Sequence, residues 1–228
     1  MGNHPYNYDE QQPFAAAEFA ENPEPRCPCV LLLDTSTSME GDSIRQLNKG
    51  LRTFRDELFE DSLCVKRVEV AIITFGPVKV AQDFTTVDSM RLPSLEASGN
   101  TPLGSAVSRG LSLLDNRKRV LRKNGIKLFR PWIFLMTDGE PTDNWKHLPK
   151  MIQKGEENKS FSFFPLGVRD ANFQILSEIS LRDPMKLDGV RFREFFLWLS
   201  ASLKNVSRSN PGDKVSIPDY KPYGWADV

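Results

Sequence analysis

A chain of 228 residues is long enough for one α/β domain with extensions at either end. Its 30 lysines and arginines balance 30 aspartates and glutamates, so the molecule as a whole carries no electrostatic footprint for nucleic acid or an anionic membrane, and neither is expected as a partner. Three cysteines cannot all pair, and Cys27-Pro28-Cys29 has no second pair with which to close a zinc tetrahedron, so they read as small apolar groups of a reduced compartment.

Residues 1–27 are rich in Pro, Asn, Tyr and Gln and read as a flexible N-terminal arm, with one helical turn at Phe14 to Phe19. The arm holds Asp9, Glu10, Glu18 and Glu21 but neither a basic start nor an apolar centre, which argues against a secretory signal. No stretch approaches the ~20 apolar residues of a membrane span. A cytoplasmic protein without membrane insertion is the expectation.

The run Val30-Leu31-Leu32-Leu33 is too apolar for an exposed surface and reads as a strand buried on both faces, ending in Asp34-Thr35-Ser36-Thr37-Ser38. Asp42 or Ser43 then caps a helix through Leu58, with Ile44, Leu47, Leu51, Phe54 and Leu58 at helical spacing. A second strand, Val68 to Phe75, stops at Gly76-Pro77, and Val78 to Phe84 alternates like an edge strand, giving a hairpin. A turn at Ala97 to Pro102 leads into a helix carrying Leu103, Ala106, Val107, Leu111 and Leu114, and the basic run Arg117 to Lys127 reads as a solvated helix end and loop.

Trp132 to Thr137 forms another apolar strand, closed by Asp138-Gly139-Glu140. A helix from Asn144-Trp145 to Glu157, a buried strand from Phe161 to Val168, a short helix marked by Phe173, Leu176 and Ile179, and a last helix from Phe192 to Leu203 follow. On this last helix Phe192, Phe195, Phe196 and Trp198 sit at core spacing. The fold class is α/β: a doubly wound, mainly parallel central sheet with one antiparallel edge strand and helices on both faces, spanning residues 28–204. Residues 205–228 form a tail running along the domain surface.

Ligands of open α/β sheets bind at the C-terminal mouth of the strands. Asp34, Ser36 and Ser38 fall there, Thr101 stands at the start of the next helix, and Asp138 ends another strand. Five oxygen donors from three loops suit a small octahedral cation such as Mg²⁺, bound by about six oxygens near 2.1 Å, with one position left open.

The order D-T-S-T-S-M, then G-N-T-P-L-G, then F-L-M-T-D-G-E-P-T-D resembles the metal-ion-dependent adhesion site of von Willebrand factor A domains. Within that superfamily the chain is most similar to bacterial TerY-like proteins of tellurium-resistance and stress operons, through Phe192 to Ser202 and Gly224-Trp225-Ala226. The resemblance implies a Rossmann-like fold in which Ser36, Ser38 and Thr101 give hydroxyl ligands while Asp34 and Asp138 hold the ion directly or through water. It implies Mg²⁺, with Mn²⁺ or Ca²⁺ as substitutes, and a protein partner presenting an Asp or Glu to the open position. It also implies a scaffold in a phosphorylation-linked stress, tellurium-resistance or phage-defence system with an operon-encoded kinase and a PP2C-type phosphatase. The chain departs from the usual pattern at Thr37 and Asn100, where glycine is common.

The enzymatic alternative is a Mg²⁺-dependent phosphatase of haloacid dehalogenase type with Asp34 as nucleophile. That class resembles D-x-D, and Ser36 stands where its proton-handling second aspartate belongs. Phosphate-cradling glycine loops and a G-x-S-x-G elbow are both absent from the sequence. His147 reads as a residue near the metal loops without a ligand role, and Glu140 and Asp143 as rim residues, with a turn-forming role for Asp143 equally open.

Overall fold

The computed structural model describes residues 18–224. Six strands form one sheet in the order β3-β2-β1-β4-β5-β6. The strands are β1 (Cys27–Asp34), β2 (Val68–Phe75), β3 (Lys79–Thr86), β4 (Trp132–Thr137), β5 (Ser162–Val168) and β6 (Met185–Leu187). Only β3 runs antiparallel to its neighbour; β1 pairs in parallel with β2 and β4, and β5 in parallel with β4 and β6. The doubly wound α/β sheet with one antiparallel edge is therefore as expected.

Every residue of β1, β2 and β4 is buried, because helices cover both faces. The two-residue alternation of a strand divides their side chains between two cores. Leu31, Leu33, Val70, Ile72 and Phe134 face α1 (Asp42–Phe59) and α6 (Phe192–Ser207), with α2 (Ser62–Arg67) at the same side. Val30, Leu32, Ala71, Ile73 and Leu135 face α3 (Leu103–Lys123), α4 (Leu148–Glu157) and α5 (Phe173–Ile179). The aromatics of α6 enter the first core: Phe195 meets Phe134 edge-on at 5.7 Å, and Phe134 stacks on Phe164 at 4.7 Å. Gly50 lets α1 close on α6, since a Cβ there would come within 2.6 Å of the Phe196 ring.

Several local expectations are corrected. The cap of α1 is Gly41, at φ 83°, rather than Asp42 or Ser43, and Asp42 sits in the first turn where its charge favours the helix dipole. Helix α4 begins at Leu148, four residues beyond Asn144, because residues 144–147 form turns. Helix α2 and strand β6 were not expected; α2 is set by Asp61, whose carboxylate accepts from Leu63 N at 3.1 Å and Cys64 N at 2.9 Å.

The basic run from Arg117 is not a uniformly solvated face. Helix α3 continues to Lys123, and Arg117 turns inward to Glu69 with Nε–Oε2 of 2.8 Å and an Nη2–Oε1 contact of 2.7 Å. Lys118 is buried and pairs with Asp115 at 2.7 Å.

Most of the expected arm, including all but the end of the helical turn at 14–19, lies outside the described residues. Within residues 18–26, Phe19 is buried, with the guanidinium groups of Arg117 and Arg26 at 5.4 and 6.0 Å from its ring centre. Arg26 is wholly buried and donates from Nε to Glu69 at 3.0 Å. At the other end, Trp198 Nε1 donates to Pro218 O at 2.8 Å, and Val215, Tyr220 and Tyr223 pack on the first core. All three cysteines are free and buried. Burial, the dominant cause, pushes the Cys64 thiol up to about 12 and raises Cys27 and Cys29 further still, so all three are inert thiols.

Candidate metal centre

Three loops meet where β1 and β4 end. The first begins as β1 gives out at Asp34 and passes through a short 3-10 turn at Thr37–Met39. Asp34 is held on both oxygens: Ser36 N donates to Oδ1 at 2.8 Å and the Thr137 hydroxyl donates to Oδ2 at 2.5 Å. Burial raises the Asp34 pKa most, the bonds from Ser36 and Thr137 oppose that rise, and the nearby Asp138 charge adds to it.

The hydroxyls of Ser36 and Ser38 lie 2.9 Å apart, and Ser38 donates to Asp138 Oδ1 at 2.6 Å. A Cβ built on Gly139 would stand 3.3 Å from Thr101 Oγ1 and 3.9 Å from Ser38 Oγ, so the threonine and serine hydroxyls share one small space that this glycine leaves clear. Asp34, Ser36, Ser38, Thr101 and Asp138, far apart in sequence, are thus brought to one mouth of the sheet. Asp34, Ser36, Thr101 and Asp138 are buried and Ser38 is exposed, which opens the group to solvent on one side.

The second loop is braced against the first. Ser98 N donates to Thr35 O at 2.7 Å, Thr37 N and Oγ1 both donate to Gly99 O at 3.0 and 3.1 Å, and Ser98 Oγ donates to Gly76 O at 2.9 Å. Gly99, at φ 71°, approaches Gly76 so closely that a Cβ would meet its carbonyl at 2.7 Å. Thr37 and Asn100 stand where relatives of the motif commonly have glycine, yet neither has a positive φ. Both departures are therefore accommodated without left-handed backbone, and the Thr37 hydroxyl adds a tie to the second loop.

The third loop is fixed by Asp143. Its Oδ1 accepts from Gly104 N at 2.8 Å, and its Oδ2 from Ser105 N at 2.7 Å and Ser105 Oγ at 2.6 Å, so it caps α3 from a distant part of the chain. Thr142 N donates to Thr101 O at 2.9 Å beside it. The two sequence readings of Asp143 are a rim acid and a turn former; the structure instead gives it a capping role on α3. Glu140 is exposed and accepts from Asn172 Nδ2 at 2.9 Å, and His147 Nε2 lies 2.9 Å from Ser108 Oγ on the α3 surface. Sequence reading had passed over Thr137; its role needs the parallel register that sets Leu33 beside Met136 and so Asp34 beside Thr137.

The donor set fits a hard divalent cation. Two carboxylates and three neutral hydroxyls make an all-oxygen set, from which thiol and imidazole are missing. Oxygens at 2.1 Å from an octahedral ion stand about 3.0 Å apart along each edge. The Ser36–Ser38 spacing of 2.9 Å is close to that edge. Among the described residues no three His, Cys, Asp or Glu side chains converge.

The von Willebrand factor type A domain family matches residues 29–193. The chain belongs to that family. Solved structures agree on the fold of this A domain at low identity. The pilus adhesin SpaC from Lactobacillus rhamnosus GG superposes with a TM-score of 0.62 at 14% identity, over 80% of this chain and 30% of that one. Proximal thread matrix protein 1 from the mussel byssus, solved with a zinc-occupied MIDAS motif, gives a TM-score of 0.54 at 14% identity over 79% of this chain and 48% of that one. The ArnB paralog VWA2 from Sulfolobus acidocaldarius gives 0.50 at 16% identity over 78% and 45%. This A domain spans less than half the length of each of these proteins. Among its described residues no helix is long and apolar enough to cross a membrane.

Proposed function

We propose that this chain is a divalent-cation-dependent protein-binding module in which Asp34, Ser36, Ser38, Thr101 and Asp138 hold Mg²⁺, with Mn²⁺ or Ca²⁺ able to substitute. The single observation that carries this reading is the chain of contacts Ser36–Ser38–Asp138, at 2.9 and 2.6 Å, at the sheet mouth. The zinc-occupied motif of the mussel matrix protein is in keeping with a divalent ion at such loops. When bound, the ion supplies a Lewis-acidic point for an anionic ligand. Ser36, Ser38 and Thr101 donate little charge, and with Asp34 and Asp138 holding the ion through water it stays electrophilic at its open position, so the partner presents an Asp or Glu. The TerY-like resemblance adds a cytoplasmic setting and a scaffold role beside a kinase and a PP2C-type phosphatase in a stress, tellurium-resistance or phage-defence system.

The phosphatase alternative is weaker on the geometry. Asp34 is only 1% exposed and both of its oxygens accept protein hydrogen bonds, which is a poor posture for a nucleophile. Ser36 beside it is no general acid.

Calorimetric titration with MgCl₂ and MnCl₂ tests the ion site. Wild type is expected to bind about one ion, and Asp34→Asn and Thr101→Ala to bind it at least about tenfold more weakly while unfolding at similar urea concentrations. Unchanged affinity in both variants would remove the site.

A further inference from the structure

The neutral overall charge conceals a local separation of sign at the end of the sheet opposite the metal loops. Trp132 and Ser162 are the first residues of β4 and β5, and both line a cleft of about 580 Å³. Strand β4 separates this cleft from Thr137 by about 17 Å at ~3.3 Å per residue. One side of the cleft is the segment Ser209 to Ile217 that follows α6.

Six cations line it: Lys118, Arg122, Arg130, Lys159, Arg182 and Lys214. The acids near them are few. Lys118 pairs with Asp115, Arg130 and Arg182 share Glu156 at 3.9 and 3.1 Å, and Asp213 lines the wall. Arg122, Lys159 and Lys214 are exposed and have no ion-pair partner among the described residues. Burial lowers the Arg130 pKa; Glu156 opposes this, and the neighbouring charge of Arg182 adds a smaller lowering.

The same cleft has flat and apolar surfaces. The Arg182 guanidinium lies 4.9 Å over the Phe164 ring, so one face is covered, while the side chain stays 42% exposed and can offer the other. A guanidinium plane supported in this way stacks well on a planar ring. Trp132, Val215 and Ile217 supply apolar wall. The volume lies within the ~300–1,000 Å³ usual for small-molecule sites and is small for a macromolecular groove.

We propose that this cleft binds a small polyanion carrying a planar ring, a nucleoside di- or triphosphate being the type, with Arg122, Lys159 and Lys214 on the phosphates and Arg182 against the ring. The site is independent of the metal loops, and the sequence carries no phosphate-loop motif, which is why motif reading passes over it.

Calorimetric titration of the full chain with ATP in excess EDTA tests the proposal, because the chelator silences the metal loops and so separates this site from the reading above. Saturable binding is expected, weakened at least about tenfold by Arg122→Glu and by Lys214→Glu. Lys214 lies outside every helix and strand, so its variant remains informative should Arg122→Glu disturb α3. Tripolyphosphate and adenosine are each expected to bind at least about tenfold more weakly than ATP, and Arg182→Ala to erase the advantage of ATP over tripolyphosphate. Absence of ATP binding, or ATP affinity unchanged in the Arg122→Glu/Lys214→Glu double variant, overturns the site. Equal affinity for ATP and tripolyphosphate overturns the ring contact, and binding of poly-glutamate without ATP overturns the small-molecule assignment in favour of an acidic protein segment.

Discussion

The Thr137 hydroxyl donates to Asp34 Oδ2 across 2.5 Å and ties the C-terminal ends of β4 and β1 at the mouth of the sheet. The bond joins two residues that carry different parts of the proposed site: Asp34 itself and the residue before Asp138. Thr137→Val keeps the β-branched shape suited to a strand and removes only the donor. A hydrogen bond to a charged group contributes about 1.5–3 kcal/mol. Calorimetry is therefore expected to show Mg²⁺ binding weakened by roughly tenfold or more, with the fold kept. Equal affinity in the variant would mean that Ser36 N alone holds the carboxylate.

Asp143 acts on the same site from the side, by closing the first turn of α3. Asp143→Ala leaves Gly104 N and Ser105 N without their acceptor, and loss of a cap costs about 0.5–2 kcal/mol. The urea midpoint should fall accordingly, and cation affinity with it, because Thr101 precedes this turn. Asp143→Asn, with one acceptor oxygen and an amide NH2 in place of the other, should recover only part of the loss. A variant that loses stability but binds Mg²⁺ normally would confine Asp143 to the helix.

Much of this molecule is legible along the chain because its strands are aliphatic runs and its donors stand directly after them. Val30 to Asp34 and Trp132 to Asp138 each announce a buried strand and the oxygen at its end. What could not be read depends on partners remote in sequence. Thr137 reaches Asp34 across 103 positions, and Asp143 reaches Gly104 across 39. Arg117 looked solvated because its partner Glu69 lies 48 residues away, on β2. Strand β6 has three residues, too few for any alternation to be visible, and it exists because β5 offers it an edge.

Asp61 gives the stability a pH dependence of definite sign. Burial alone would raise its pKa, but the Cys64 N–H, the Arg208 guanidinium and the Leu63 N–H together outweigh burial and hold it below the usual carboxylate range. A carboxyl depressed in the folded state adds stability that is fully present above its unfolded pKa, about 3.9, and is lost as pH falls through the folded value. Because Arg208 is 61% exposed, its share is screened by solvent. Asp61→Asn preserves the cap and removes the charge. Its stability deficit against wild type should be constant near neutrality and shrink below about pH 4 in denaturant titrations. A deficit independent of pH down to acid unfolding would leave the cap, rather than the charge, as the whole effect.

The ion network of Glu69 supplies the sharpest contrast between losing one charge and losing a pair. Arg26 and Glu69 are both wholly buried, 3.0 Å apart, and Arg117 approaches the same carboxylate with 15% of its side chain exposed. Burial lowers the Arg26 pKa, with Glu69 opposing it, whereas at Arg117 burial is outweighed by the bonds and charges of Glu69 and then Glu18, and the pKa is raised. Removing the carboxylate strands the deeper guanidinium, which then keeps only the carbonyls of Glu24 and Asn22. Breaking a buried pair from one side costs about 3–5 kcal/mol, while exchanging both partners for apolar groups is often neutral or better. Glu69→Ala should therefore destabilise by about that much in urea titrations and expose the Arg26–Cys27 bond to trypsin as residues 18–26 lose their anchor. Arg26→Leu combined with Glu69→Leu should restore most of the stability. If the double variant is as unstable as Glu69→Ala, Arg117 rather than Arg26 is the charge that Glu69 neutralises, and Arg117→Leu on the Glu69→Leu background should then recover what Arg26→Leu did not.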